Sequence, residues 1–108
     1  HNGVGLSANQ IGINERVFIM VKDLEYNEIL TCFNPRIVKQ SSKTVVMEEG
    51  CLSYPDKFIE VERSETVVVK YEDENKVDHK IKLEGFAARV FLHEFDHIQG
   101  INFTQRER

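Results

Sequence analysis

The chain has 108 residues, with 14 Lys and Arg against 18 Asp and Glu, and a formal net charge of −4 at pH 7. This length fits one domain, residues 1–108, and no apolar run approaches the roughly 20 residues that cross a bilayer, which excludes membrane insertion. The acidic balance and the lack of a basic patch in the sequence predict no direct nucleic-acid specificity. Cys32 and Cys51 are interpreted as intracellular thiols, because nothing indicates a disulfide-stapled secreted scaffold.

The first three quarters of the chain predict β-strands. Apolar and polar residues alternate in seven short segments, which is typical of strands with one buried face. These segments are residues 16–21, 29–33, 36–40, 43–49, 58–63, 65–73 and 77–85. Asn34-Pro35 and Ser41-Ser42 predict turns between strands, and the polar residues 73–76 predict a hairpin turn.

Only the last quarter of the chain predicts a helix. Residues 85–100, "GFAARVFLHEFDHIQG", contain good helix formers and end on Gly100, a frequent C-terminal stop. Apolar residues recur at helical spacing, and two histidines fall on a different stripe from the phenylalanines. We therefore predict a small single α+β domain, with antiparallel strands packed around one central helix.

This helix carries a possible metal-binding motif, His93-Glu94-x-x-His97. Residues four apart lie one above the other on a helix, so His93 and His97 can reach one ion. Glu94 points too far round the helix to ligate that ion easily, but its carboxylate can take a proton from a water at the ion. A motif this short also arises by chance, so a metal site requires a third ligand.

The third ligand does not lie downstream. The extended motif H-E-x-x-H-x-x-G-x-x-H needs a histidine where this chain has Phe103, and the only later acidic residue is Glu107. The upstream candidates are His1, His79, Cys51 and the acidic residues. His1 is interpreted as incidental, and His79 as a surface histidine because it sits in an alternating strand.

Cys51 is the upstream candidate with the most suggestive context. It follows a glycine after a β-rich segment, and thiolate is a strong ligand for zinc or ferrous iron. The alternative is a buried apolar cysteine, which is common and which the residues alone favour. For Cys32, surrounded by apolar strand residues, we predict such a buried thiol.

Three segments, taken together, resemble the motifs of the peptide deformylase family. They are "GVGLSANQIG" (residues 3–12), "EEGCLSYP" (48–55) and "FLHEFDHIQG" (91–100), and they occur in the family's order over essentially the whole chain. The chain departs from the family pattern at Ser7, where alanine is usual, and has Asn9 at a variable position. The N-terminal segment usual in the family has no counterpart in residues 1–108.

The resemblance implies a catalytic metal site. Cys51, His93 and His97 would hold one divalent ion, Fe²⁺ in the cell, with Zn²⁺, Ni²⁺ or Co²⁺ possible in preparations. Glu94 would act as general base. The side-chain amide of Gln10 and the backbone N–H of Leu52 would stabilise the charge that develops on the substrate's formyl oxygen.

The resemblance also implies a peptide-binding site. Three backbones would pair with an extended peptide, three apolar side chains would line a methionine pocket, and one arginine would lie at the mouth of that pocket. The backbone partners would be Val4, Gly5 and Gly50. The pocket would be lined by Met47, Phe86 and Val90, with Arg89 at its mouth. Glu49 and Arg63 would form an ion pair beneath the metal loop, although a solvated Arg63 is an equally simple interpretation.

The implied function is removal of the formyl group from the N-terminal formylmethionine of new polypeptides, with release of formate. The implied partners are formylated nascent peptides and the ribosome surface, for a cytoplasmic monomer. Two alternatives remain open. One is a small H-E-x-x-H zinc metalloprotease that cleaves internal peptide bonds, and the other is a non-catalytic metal-binding module with four protein ligands.

Overall fold

The computed structural model describes residues 5–7, 16–23, 28–51 and 54–100. This part of the chain contains seven strands and one helix, which confirms the predicted α+β class. The strands are β1 (Gly5–Ser7), β2 (Val17–Asp23), β3 (Glu28–Gln40), β4 (Thr44–Cys51), β5 (Tyr54–Ser64), β6 (Thr66–Glu72) and β7 (Asp78–Glu84), and the helix is α1 (Phe86–Ile98).

The strands form two antiparallel sheets that flank the helix. The larger sheet has the order β1-β2-β3-β6-β7, and β4 and β5 form a separate two-stranded sheet. Helix α1 contacts strands of both sheets. A residue on α1 can therefore reach side chains from either sheet, and this arrangement positions the site described below.

Strand β3 continues through Asn34-Pro35, so the turn predicted there is wrong. Asn34 adopts a left-handed conformation with φ 49°, and the pairing of β3 with β6 shifts register between Phe33 and Arg36. Proline has no N–H to give to a ladder and is tolerated in a sheet at such a bulge. The predicted turn at Ser41-Ser42 is confirmed, because β3 ends at Gln40 and β4 begins at Thr44.

The core lies between the larger sheet and one side of α1. The rings of Phe18 and Phe91 meet edge to face with centroids 5.0 Å apart. Burial of each such side chain contributes about 1.5–3 kcal/mol. The other fully or nearly fully buried apolar residues here are Met20, Cys32, Val67, Val69, Tyr71, Leu83, Ala88, Val90 and Leu92.

Cys32 is a buried free thiol, as predicted. Cys32 is fully buried, and this burial raises the pKa of its thiol to about 12. The neutral form is therefore strongly favoured at physiological pH, and this sulfur packs as an apolar group.

A glycine lies at each end of the helix. Gly85 has φ 59° and donates its N–H to the Glu65 carbonyl over 2.9 Å, a conformation that lets the chain turn from β7 into α1. At the other end, Gly100 donates to the His97 carbonyl over 3.0 Å. The predicted helix and its C-terminal stop are confirmed. No helix in the described ranges has the length and apolar character needed to cross a membrane.

The outer face of the larger sheet contradicts the expectation that the chain lacks a basic patch. Arg36 on β3 is paired with Lys70 on β6, which is paired with Lys80 on β7, and all three are exposed. These residues are far apart in sequence, and only the strand register brings them into one row.

Candidate metal site

Helix α1 presents two imidazoles side by side. His93 and His97 are both buried, and their Nε2 atoms lie 3.1 Å apart. Two nitrogens that ligate one tetrahedral ion at 2.0–2.1 Å are separated by roughly 3.3 Å. The observed separation therefore fits a pair of ligands for a single cation.

Glu94 completes a buried group that can hold a metal. Ligand atoms of His93, Glu94 and His97 all lie within 4.8 Å of one another. Glu94 is 4% exposed, which is unusual for a carboxylate outside a functional or paired site. Its carboxylate is thus within reach of a water molecule held between it and the two imidazoles.

A carboxylate from β4 orients the first imidazole. Nδ1 of His93 lies 2.8 Å from Oε1 of Glu49. Burial raises the pKa of Glu49, but hydrogen bonds from His93 and Arg63 and the charge of Arg63 outweigh it, so the pKa falls to about 2. Because an ionised carboxylate only accepts, Nδ1 carries the hydrogen, and in the neutral ring Nε2 is then the nitrogen with the lone pair that a metal ligand requires.

Two arginines neutralise Glu49. Arg63 donates to both carboxylate oxygens, through Nε over 2.6 Å and Nη2 over 2.9 Å, and Arg89 donates to Oε2. The predicted Glu49–Arg63 ion pair is thus present in the structure, and the side chains of both residues are only 5% exposed. The interpretation of Arg63 as a solvated charge is wrong.

Asp96 connects the ion pairs around Glu49 to helix α1. Nη1 of Arg63 donates to Oδ2 of Asp96 over 2.9 Å. Burial opposes a charged Arg63, but its hydrogen bonds to Glu49 and then Asp96 raise the pKa of the guanidinium above its ordinary value. Arg63 therefore ties β4 and α1 together beside the imidazoles.

The position of Arg89 is a correction to the sequence analysis. It was expected at the mouth of a methionine pocket, but it is 8% exposed and its guanidinium also donates to the carbonyls of Val45 (2.5 Å) and Val61 (3.2 Å). The physical reason is the buried negative charge of Glu49, which requires cations close by. Arg89 precedes His93 by four residues and Asp96 follows it by three, so helical spacing was the signal that linked them.

The structure leaves the third ligand as a prediction. The backbone of Cys51 ends β4, two residues after Glu49, and pairs with Tyr54. Its side chain lies outside the described residues, as do Gln10, Leu52 and Val4 altogether. His79 is not part of the cluster, since its Nε2 lies 2.7 Å from Asp73 Oδ2 on the β6–β7 hairpin.

The remaining predicted substrate residues lie on α1, β1 and β4. Phe86 and Met47 are 42% and 50% exposed, and Val90 is buried one turn after Phe86. Gly5 lies on β1, and Gly50 lies in β4 at a shift of register against β5. Their contacts with a substrate stay predictions.

The comparisons with known proteins agree over nearly the whole chain. The family model described as polypeptide deformylase matches residues 1–108. A peptide deformylase of Thermotoga sp. (strain RQ2) is 45% identical over 106 residues, which are 98% of this chain and 63% of that protein. The chain therefore spans less than two thirds of the length of this relative.

Solved structures give the same result for the fold. The chain superposes on the crystal structure of peptide deformylase from Thermotoga maritima with a TM-score of 0.93 at 44% identity, covering 99% of this chain and 71% of that one. A class I type b peptide deformylase from Acinetobacter baumannii, described as bound to Met-Ala-Ser, gives 0.89 at 39% identity, covering 97% and 70%.

Proposed function

The chain belongs to the polypeptide deformylase family, and we propose that it hydrolyses the N-formyl group from the N-terminal formylmethionine of new polypeptides. The products are formate and a peptide with a free methionine amine. The observation that carries the proposal is the buried pair of Nε2 atoms, 3.1 Å apart, with the Glu94 carboxylate beside it. A purely structural helix face has no need for this arrangement.

We assign the metal to His93, His97 and Cys51. The Glu49 hydrogen bond to His93 and the spacing of the two imidazoles support the histidines, and the position of Cys51 two residues after Glu49 on the same strand supports the cysteine. When bound, a divalent cation lowers the pKa of a water molecule and polarises the formyl carbonyl. Iron is the proposed ion, by resemblance to the family.

Glu94 moves the proton in the proposed reaction. Its carboxylate accepts a proton from the attacking water as the water oxygen bonds to the formyl carbon. Gln10 and the Leu52 N–H donate hydrogen bonds to the formyl oxygen, where negative charge develops. The carbon–nitrogen bond then breaks, and Glu94 returns the proton to the departing amine, so no other acid or base is needed.

Strand edges support the proposed binding of an extended peptide. In the described structure β1 is the outer strand of the larger sheet, and β4 is paired only with β5. A peptide that adds to such an edge gains main-chain hydrogen bonds without a demand on most side chains. Val4, Gly5 and Gly50 are the proposed backbone partners, and the description of a Met-Ala-Ser complex for the Acinetobacter baumannii relative fits this class of ligand.

The proposed partners follow from the substrate. Formylated chains are presented at the ribosome, so the proposed site of action is the compartment of translation, with the ribosome surface as a contact. We propose that the chain works as a monomer, because the residues proposed to act on the substrate all belong to one chain.

One paired assay tests this function against the two alternatives. Metal-loaded protein is incubated separately with a formyl-Met tripeptide and with unformylated casein, while formate and new amino termini are measured. Formate release without casein cleavage supports a deformylase. Casein cleavage would instead indicate a metalloprotease, and metal binding with neither product would indicate a non-catalytic module.

A further inference from the structure

Five basic side chains lie on the outer face of β3, β6 and β7, which we term the basic face. Val67, Val69 and Tyr71 of β6 point into the core, so the alternating residues of this strand point away from α1. Two neighbouring rows on the outer side are basic. They are Arg36–Lys70–Lys80 and Lys39–Val68–Lys82, each aligned by the strand register.

Four of these five cations form no ion pair with an acidic side chain of the described residues. Lys82 pairs with Glu84 over 3.5 Å. The side chains of Arg36, Lys39, Lys70 and Lys80 make no ion pair or hydrogen bond with any described residue. The next row towards the β6–β7 turn places Glu72 opposite Asp78, so an acidic pair bounds the face on that side.

The arrangement costs stability within the fold. Like charges directly opposite one another on antiparallel strands are destabilising. Lys70 faces a like charge on both sides, Arg36 and Lys80. These five cations lie together on one face, although the chain as a whole has a net charge of −4. An anionic partner would remove the repulsion, so charge complementarity favours a binding surface.

We propose that the basic face binds the phosphate backbone of double-stranded RNA without reading its sequence. Neighbouring strands are about 4.8 Å apart and alternate residues on a strand about 6.6 Å apart, spacings at which several cations meet successive phosphates. The five basic positions and Val68 include no aromatic side chain, so the face offers no platform on which single-stranded bases stack. Contacts to phosphates position a duplex but carry no sequence information.

A matched pair of double variants tests the proposal on the whole 108-residue chain. Lys70→Gln/Lys80→Gln removes two charges from the basic face, and Lys22→Gln/Lys43→Gln removes two lysines that lie elsewhere in ion pairs with Glu28 and Glu65. Binding to a labelled RNA duplex of about 20 base pairs is followed by fluorescence anisotropy at several salt concentrations. Vesicles of phosphatidylglycerol and polyglutamate serve as the other anionic probes.

The wild-type chain should bind the duplex at low salt, and the first double variant should bind at least about tenfold more weakly, with a salt slope smaller by about 2. The second double variant should behave as wild type, and formate release should be the same in all three. Absence of duplex binding, equal losses in both variants, or tighter binding to vesicles or polyglutamate would overturn the proposal. If Lys70→Gln/Lys80→Gln melts below wild type, Arg36→Gln/Lys39→Gln repeats the test.

Discussion

Oε1 of Glu49 accepts a hydrogen bond from Nδ1 of His93 over 2.8 Å, and this contact joins strand β4 to the ligand face of α1. It fixes the ring orientation of His93 and leaves Nε2 facing Nε2 of His97. A carboxylate that orients a ligating histidine also raises the basicity of that ligand. The proposed metal site therefore depends on strand β4 of the two-stranded sheet as well as on helix α1, rather than on the helix motif alone.

Replacement of Glu49 by Gln should weaken metal binding. The amide keeps the shape of the side chain but not its charge, and loss of such a partner costs about 10–100-fold in metal affinity. The control is Glu48→Gln, because Glu48 is the preceding residue on β4 and is exposed. Affinities are measured by competition with a chromophoric chelator. Equal affinities of the two variants would show that Glu49 does not orient His93.

Replacement of Cys51 by Ala should remove the metal, because only the two histidines would then remain of the three proposed ligands. Cys32→Ala is the control, since Cys32 is buried in the core and its thiol pKa is raised to about 12. Metal content per chain is measured by mass spectrometry after dialysis. We expect about one ion per chain in the wild type and in the control. Full occupancy in Cys51→Ala would move the third ligand to another residue or to water.

Replacement of Arg63 by Met should destabilise the fold. Removing one member of a buried ionic network costs about 3–5 kcal/mol, since Glu49 and Asp96 lose a shared buried cation. Arg36→Met, at an exposed position on β3, should stay within about 0.5 kcal/mol of wild type. The free energy of unfolding is obtained from urea titrations of the metal-free proteins. A loss of less than about 1 kcal/mol in Arg63→Met would mean that the network is not needed for stability.

The metal dependence of turnover should follow the mixed ligand set. The proposed ligands, two neutral imidazoles and one thiolate, would leave a divalent ion with about one net positive charge, and the thiolate would weaken it as a Lewis acid. We expect the iron and nickel forms to be faster than the zinc form, and the iron form to decay in air as the thiolate oxidises. Apo protein is reloaded anaerobically with each metal, and formate release is followed with and without oxygen. A fastest zinc form with an air-stable iron form would refute the iron assignment alone.

Local spacing explains why the helix and its histidines were predictable. His93 and His97 lie one turn apart on any α-helix, and the alternation of apolar and polar residues indicates the strands. The bulge at Asn34-Pro35 was not predictable, because the same residue pair is a turn signal when no neighbouring strand holds it. The family resemblance supplied the ion pair of Glu49 with Arg63, which no local pattern indicates.

Groups of residues that are far apart in the sequence could be recognised only from the strand register. Arg36, Lys70 and Lys80 are separated by 34 and 10 positions in the sequence, yet they share one row across three strands. Likewise, the buried position of Arg89 depends on β4 bringing Glu49 against the helix. Composition and net charge average over such groupings, which is why they predicted no basic patch.

The rate of formate release by metal-loaded wild type and Glu94→Gln tests the central claim most directly. Glutamine keeps the size of the side chain but cannot accept the proton from water, so turnover should fall about 100-fold or more while metal content stays equal. Glu60→Gln, at an exposed position on β5, should retain the wild-type rate. A wild-type protein that releases no formate, or a Glu94→Gln variant that releases it at the wild-type rate, would contradict the account.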